Sequence, residues 1–447
     1  MTEKNNKYSS LLLFLLGLGS ATKIFFLGTL AISELVIFFV APILFACRFS
    51  RMRAEGFMTF LYMLAFMTCG LLASSWWNDS PMPFVVKQFA VFYGFFAYYV
   101  VFYALLRDNF NGIGWFVLGL FFSGIITIWA FNPTAQVSSS GFAFVAESEA
   151  EEIIQGPLFW IGKVRGLGQL PIFAAYLKTP LAYSIVTPIL FVAFAMFTTV
   201  SGRAQSMCVL VGGAMMLLGR KSRATMQGIG RHFWTFMAAG VLVLFCYKAV
   251  YSYAAREGIL GEAAQNKYLH QTDQGTGIVK MLVAGRTEFF IALTAIVDHP
   301  IIGFGPRAED KKGYAGNFLL KYGTASDISS YYYYERNYLG RGMVASIPTH
   351  SHIMAGWVWC GLPGLVFFLW MLYTIYQHLR FYSACIPQWF GYFALTIPSM
   401  IWSIFFNPFG ARYTIPLLMV CIHFARAIGR GRLQLPYEME MEARKHD

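Results

Sequence analysis

His350 closes a long polar stretch and opens an apolar one, and it is followed by Ser351, nine further residues and Gly361-Leu362-Pro363-Gly364. A neutral imidazole with a pKa of about 6.5 can take a proton from a hydroxyl near neutral pH. Two arginines offer a complementary chemistry. Arg286 stands in Ala284-Gly285-Arg286-Thr287-Glu288-Phe289-Phe290, ahead of His299-Pro300-Ile301-Ile302-Gly303-Phe304-Gly305-Pro306, and Arg203 ends Thr199-Val200-Ser201-Gly202-Arg203. A guanidinium presents a planar fork of donors that fits anionic oxygens bidentately. Plainer roles exist for all three. A lone histidine can be a structural hydrogen-bonder, Arg203 can snorkel to headgroups, and Arg286 can pair with Glu288 or a lipid phosphate.

The elements that must position these residues are membrane helices. Of the 447 residues, 57% are hydrophobic, 18% aromatic and only 13% charged, and mean hydropathy is +0.54. This composition excludes an ordinary soluble domain. Backbone groups in hydrocarbon find partners only within a helix or a closed barrel, and the long apolar runs favour helices of about 20 residues. Candidate spans lie near 9–22, 25–47, 56–76, 84–106, 112–131, 180–200, 204–219, 233–250, 352–377, 387–406 and 411–427.

Lys and Arg collect in short cytoplasmic loops. Arg48, Arg51 and Arg53 form one cluster, Arg220, Lys221, Arg223 and Arg231 a second, and Arg426, Arg430 and Arg432 a third. With all three in the cytoplasm, the 251–348 loop faces outward. Alternation then requires a further crossing between Phe131 and Arg203, near Pro180 and Pro188, giving an all-α fold of about twelve transmembrane helices. Three regions result: N-terminal helices over 1–250, the outward loop with an amphipathic helix over 251–348, and C-terminal helices with a cytoplasmic tail over 349–447. The segment after Arg286 reads as a helix on the outer membrane surface, ended by a glycine-rich turn that approaches a ligand closely. On a continuous helix after His350, Gly361 and Gly364 would share a face about 16 Å away and admit a neighbouring helix.

The formal charge of +12 is spread over loops instead of forming one stripe, so no nucleic-acid partner is expected. The outward loop contains no cysteine, and neither a disulfide framework nor a metal site is expected. No Asp-x-Asp element of the kind that holds a divalent cation occurs, and the run Glu147, Glu149, Glu151, Glu152 reads as a solvated loop.

Three elements together, Ser201 to Arg203, Gly285-Arg286 followed by His299 to Gly305, and His350-Ser351 followed after nine residues by Gly361, resemble motifs of the O-antigen ligase and O-antigen polymerase superfamily. The similarity covers roughly residues 160–380. The Ser-Gly-Arg spelling at 201–203 departs from the family's Ser-Arg. The resemblance implies a GT-C-like enzyme in the bacterial inner membrane with its active site facing the periplasm. Such an enzyme moves a glycan from undecaprenyl diphosphate to an acceptor hydroxyl, on lipid A-core or on a growing glycan, without a cofactor. Arg203 and Arg286 would neutralise the departing diphosphate, and His350 would be the general base of an inverting, metal-independent displacement. His352, Arg336, Arg341 and Arg412 are secondary candidates, the arginines for pyrophosphate or sugar. His350 is preferred over His352 by motif spacing alone. The histidine signature favours a ligase. An O-antigen or exopolysaccharide polymerase shares the same donor, and a flippase for lipid-linked sugars is the alternative from outside the enzyme class.

Overall fold

The computed structural model describes residues 3–130 apart from 22 and 26–28, then 287–322, 346–349, 351–383, 385–386, 389–407 and 412–434, with isolated positions between 208 and 265. The described chain is mostly helical. Helix α1 spans Glu3–Ala21, a two-stranded antiparallel ladder joins Lys23–Phe25 to Thr29–Ala31, and α2 (Ile32–Glu55), α3 (Met58–Trp77), α4 (Met82–Asp108) and α5 (Ile113–Ala130) follow. Further on come α6 (Thr287–Asp298), α7 (Tyr314–Tyr322), α8 (His352–Cys360), α9 (Leu362–Gln377, running into a π-helical turn over His378–Tyr382), α10 (Phe390–Phe406) and α11 (Thr414–Gly429).

Four stretches are long and apolar enough to cross a membrane: Ile32–Glu55, Met58–Trp77, Met82–Arg107 and Leu362–Tyr382. The chain thus has the helices of a multi-pass membrane protein. Exposed Phe39 and Ile43 on α2 and exposed Trp76 and Trp77 ending α3 suit lipid contact and an interfacial aromatic belt.

The expected all-α architecture of about twelve crossings in a GT-C-like arrangement is corrected. Among the described residues only those four helices have crossing length, and the other apolar helices are shorter. α10 has 17 residues and α11 has 16, about 25 Å by helical rise against about 30 Å of hydrocarbon. The apolar run 25–47 starts as the strand ladder, and the run 352–377 is two helices, because Gly361 breaks it. Hydropathy registers an apolar run without registering a turn inside it. The spans expected between 180 and 250, the basic cluster at 220–231 and the extra crossing before Arg203 fall outside the described residues.

Close helix crossings occur where glycine removes the side chain. A Cβ on Gly17 would lie 2.1 Å from the Phe116 carbonyl oxygen, and one on Gly119 would lie 2.1 Å from that of Phe14, so α1 and α5 touch backbone to backbone. At the other side of the bundle Phe57, Tyr99, Tyr103, His423 and Phe424 form an aromatic cluster joining α3, α4 and α11. Tyr99 Oη lies 2.8 Å from His423 Nδ1 and also donates to the Phe57 carbonyl at 2.9 Å. Glu55 pairs with Arg107 at 2.8 Å and accepts from Tyr103 Oη at 2.7 Å. Two of the three basic clusters gather at this Arg107 end, where Arg432 reaches Gly56 at the α2–α3 turn. The opposite, Trp77 end carries the candidate site.

Candidate functional site

Residues on both sides of the His350 position are tightly held. Glu309 and Ser346 form an isolated antiparallel bridge, and the Ile347 N–H donates to the Ala308 carbonyl at 2.9 Å. Ser351, fully buried, caps α8: its Oγ accepts from the Met354 N–H at 3.3 Å and donates to the Ile404 carbonyl at 2.8 Å, in the last turn of α10. One hydroxyl thereby fixes where the helix starts and ties it to a neighbour.

α8 and α9 form a hairpin. A Cβ on Gly364 would lie 1.9 Å from the Gly356 carbonyl oxygen, and the His352 ring stacks on Phe368 with centroids 6.1 Å apart. Gly364 therefore packs against the other arm of its own hairpin, and Gly361 sits in the turn. The expectation that both glycines line one face of a continuous helix is corrected by this geometry. The hairpin also buries His352, which is only 6% exposed and lies between Phe368 and the Ser403 backbone.

The segment after Arg286 folds as expected into a helix, α6, followed by a glycine-rich turn. That turn locks onto the hairpin. The Phe304 N–H donates to the Val358 carbonyl at 2.6 Å, the Leu362 N–H to the Ile301 carbonyl at 2.8 Å, and Trp357 Nε1 to the Pro300 carbonyl at 2.7 Å. The Leu362 bond satisfies one of the N–H groups left over at the start of α9. Gly303 (φ 79°) faces the Gly361 nitrogen, which a Cβ would approach to 2.6 Å, and a Cβ on Gly361 (φ 64°) would lie 2.1 Å from the Ile301 oxygen. These two motif segments meet glycine against glycine. Phe289, near the start of α6, contacts Phe406 with ring centroids 6.4 Å apart, so the residues just after Arg286 and those just after His350 share the same end of α10.

The turn continues onto α3 and α4. Asn78 Nδ2 donates to the Gly303 carbonyl at 3.2 Å, Gly305 packs on Ser80, and Arg307, at the left-handed φ of 49°, lies over the Phe84 ring at 5.4 Å. Arg412 lies along Gly94 of α4 and pairs with Glu34 at 2.6 Å, while Glu34 accepts the Ala31 N–H at the start of α2. Lys87 feels the charges of both Arg307 and Arg412. Phe84, Lys87 and Gln88 follow one another at helical spacing, and Gly94 lies two turns on from Lys87. Arg412 thus serves a partly buried ion pair within a cationic group that includes Lys87 and Arg307, which sequence reasoning missed. A usable signal existed for Lys87, since a lysine five residues into an apolar span calls for a partner or ligand. Glu34 is 5% exposed on its side chain, so Arg412→Ala is expected to lower stability by about 3–5 kcal/mol by removing the cation paired with a buried carboxylate. Glu34→Gln with Arg412→Ala should recover much of that loss in detergent melting curves. A single variant as stable as the double would refute the pairing.

Arg203, Arg286, His350, Arg336 and Arg341 fall outside the described residues; His352 and Arg412 are described. Among the described residues no group of His, Cys, Asp and Glu has the makings of a metal site. Comparison of the chain with protein-family models, with curated proteins and with solved structures finds no match in any of the three.

Proposed function

We propose that the chain is a membrane glycosyltransferase that moves a glycan from undecaprenyl diphosphate to an acceptor hydroxyl, and that its acceptor is lipid A-core, as in O-antigen ligation. The Trp77 end of the bundle faces the periplasm, and the membrane is the bacterial inner membrane. The observation that carries this reading is the lock between the turn at 299–305 and the α8–α9 hairpin. It joins segments that the resemblance to the O-antigen ligase superfamily treats as parts of one site, and it anchors the residues following Arg286 and His350 at one helix end.

The proposed chemistry needs two functions on opposite faces of the anomeric carbon. Arg203 and Arg286 hold the diphosphate and stabilise the charge that builds as the glycosidic C–O bond breaks. His350 takes the proton of the acceptor hydroxyl as the new C–O bond forms, and the configuration inverts. Diphosphate is a good leaving group and needs no general acid.

Purified protein mixed with lipid-linked glycan and lipid A-core is expected to form the joined product. Arg286→Lys should lose about tenfold or more in transfer, since lysine offers a point charge where arginine offers a fork. Absence of any glycosidic product would sink the enzyme reading in favour of a flippase. Elongated lipid-linked glycan in place of the core adduct would identify a polymerase.

A further inference from the structure

We propose that the Trp77 end of α4 is a binding site for the phosphate group of a membrane lipid headgroup, formed by Lys87, Gln88 and Arg307, with the Arg412–Glu34 pair deeper along the helix. This site does not depend on the glycosyltransferase reading, and it uses none of Arg203, Arg286 and His350.

Three observations converge on it. Among the described residues, Arg307 lies over Phe84, one helical turn from Lys87, while the deeper Arg412 is bound to Glu34, so the positive charge of Lys87 and Arg307 is in excess there. Their placement is enforced. Arg412 is laid along Gly94, where a Cβ would come within 2.9 Å of its Cδ, and Arg307 is delivered over Phe84 by the turn that Asn78 and Ser80 hold. Finally, Gln88 is only 8% exposed, and its Nε2 donor has no hydrogen-bond partner among the described residues. Gln88 is four residues on from Phe84 and adjoins Lys87 on that side of α4. A buried amide donor without an acceptor is destabilising, whereas a phosphate oxygen on that face would satisfy it and be met by the cations.

Depth favours a lipid phosphate. Lys87 is five residues in from Met82, about 7.5 Å by helical rise, which is headgroup depth for a helix that begins at the membrane surface. Lys87 and Arg307 are both exposed, so their side chains are open to such a ligand. A phosphate monoester, with more negative charge than a zwitterionic diester headgroup, should bind best.

The test uses the full chain in neutral detergent, with dioleoylphosphatidic acid, dioleoylphosphatidylcholine and inorganic phosphate as probes and native mass spectrometry as readout. Phosphatidic acid is expected to bind in preference to phosphatidylcholine. Lys87→Gln and Arg307→Gln should each weaken it about tenfold, the loss of one charge-assisted contact. Gln88→Leu should weaken it too without lowering the melting temperature of the lipid-free protein, and Lys311→Gln, exposed on the turn before α7, should bind like the parent. Displacement by inorganic phosphate would show that the phosphate group suffices, and resistance to it would show that the acyl chains contribute. Phosphatidylcholine binding as tightly as phosphatidic acid, or undiminished binding by both Lys87→Gln and Arg307→Gln, would overturn the proposal.

Discussion

His350→Ala is expected to reduce glycan transfer by about 10²–10⁴-fold while the protein still folds and still binds the lipid-linked donor. A general base acts on the acceptor hydroxyl during bond formation, so its removal should fall on kcat, with the donor's apparent affinity nearly unchanged. His350→Gln, which keeps hydrogen bonding and loses basicity, should be about as impaired. In the parent protein, transfer should drop at acid pH if the base is an imidazole, because a protonated imidazole can no longer accept a proton. His352 supplies the contrast. Buried against Phe368, it should reveal itself in stability when truncated, with transfer per folded molecule largely kept. Near-normal kcat in His350→Ala would remove it as base, whatever happens to the arginines.

The helical character of this chain was legible because apolar runs of crossing length leave the backbone few alternatives. α3, α4, α5 and α6 fall close to where the hydropathy and the surface-helix pattern put them, whereas α2 is displaced from 25–47 to Ile32–Glu55. The number of crossings was not legible, and the segment after His350 shows why. From Ile353 to Gln377 the residues are almost uniformly apolar, and a single glycine at 361 converts one expected span into a hairpin. A glycine in an apolar run has the same composition whether it lets another helix approach or reverses the chain, and only the contact made by the His299–Gly305 turn decides between them. Spacing identified the two segments as belonging together without indicating that they bond directly. The cationic group at the end of α4 was hidden for another reason: Lys87, Arg307 and Arg412 are far apart in sequence. Long-range convergence of single charges leaves no periodic trace.

Gly361→Ala is expected to be the most damaging substitution of one small residue for another in the site. The backbone there has φ 64° and ψ −151°, a region that is essentially open to glycine alone and costs other residues about 1–3 kcal/mol. Space is the larger obstacle. The added Cβ would lie 2.1 Å from the Ile301 oxygen and 2.6 Å from the Ile302 oxygen, both backbone atoms pinned by the Leu362-to-Ile301 bond and by the turn behind them. A flexible side chain could swing aside, but here the whole 299–305 turn must retreat, and with it the Phe304-to-Val358 bond. The combined loss should exceed about 4 kcal/mol, read as a large fall in melting temperature of the purified protein and as lost transfer in whatever fraction still folds. Gly431 makes the control sharp: it has φ 67°, yet a Cβ there meets nothing within 4 Å. Gly431→Ala carries only the left-handed backbone penalty, about 1–2 kcal/mol. If Gly361→Ala proves no worse than Gly431→Ala, the turn and hairpin are not locked together, and the observation that supports the proposed active site falls with it.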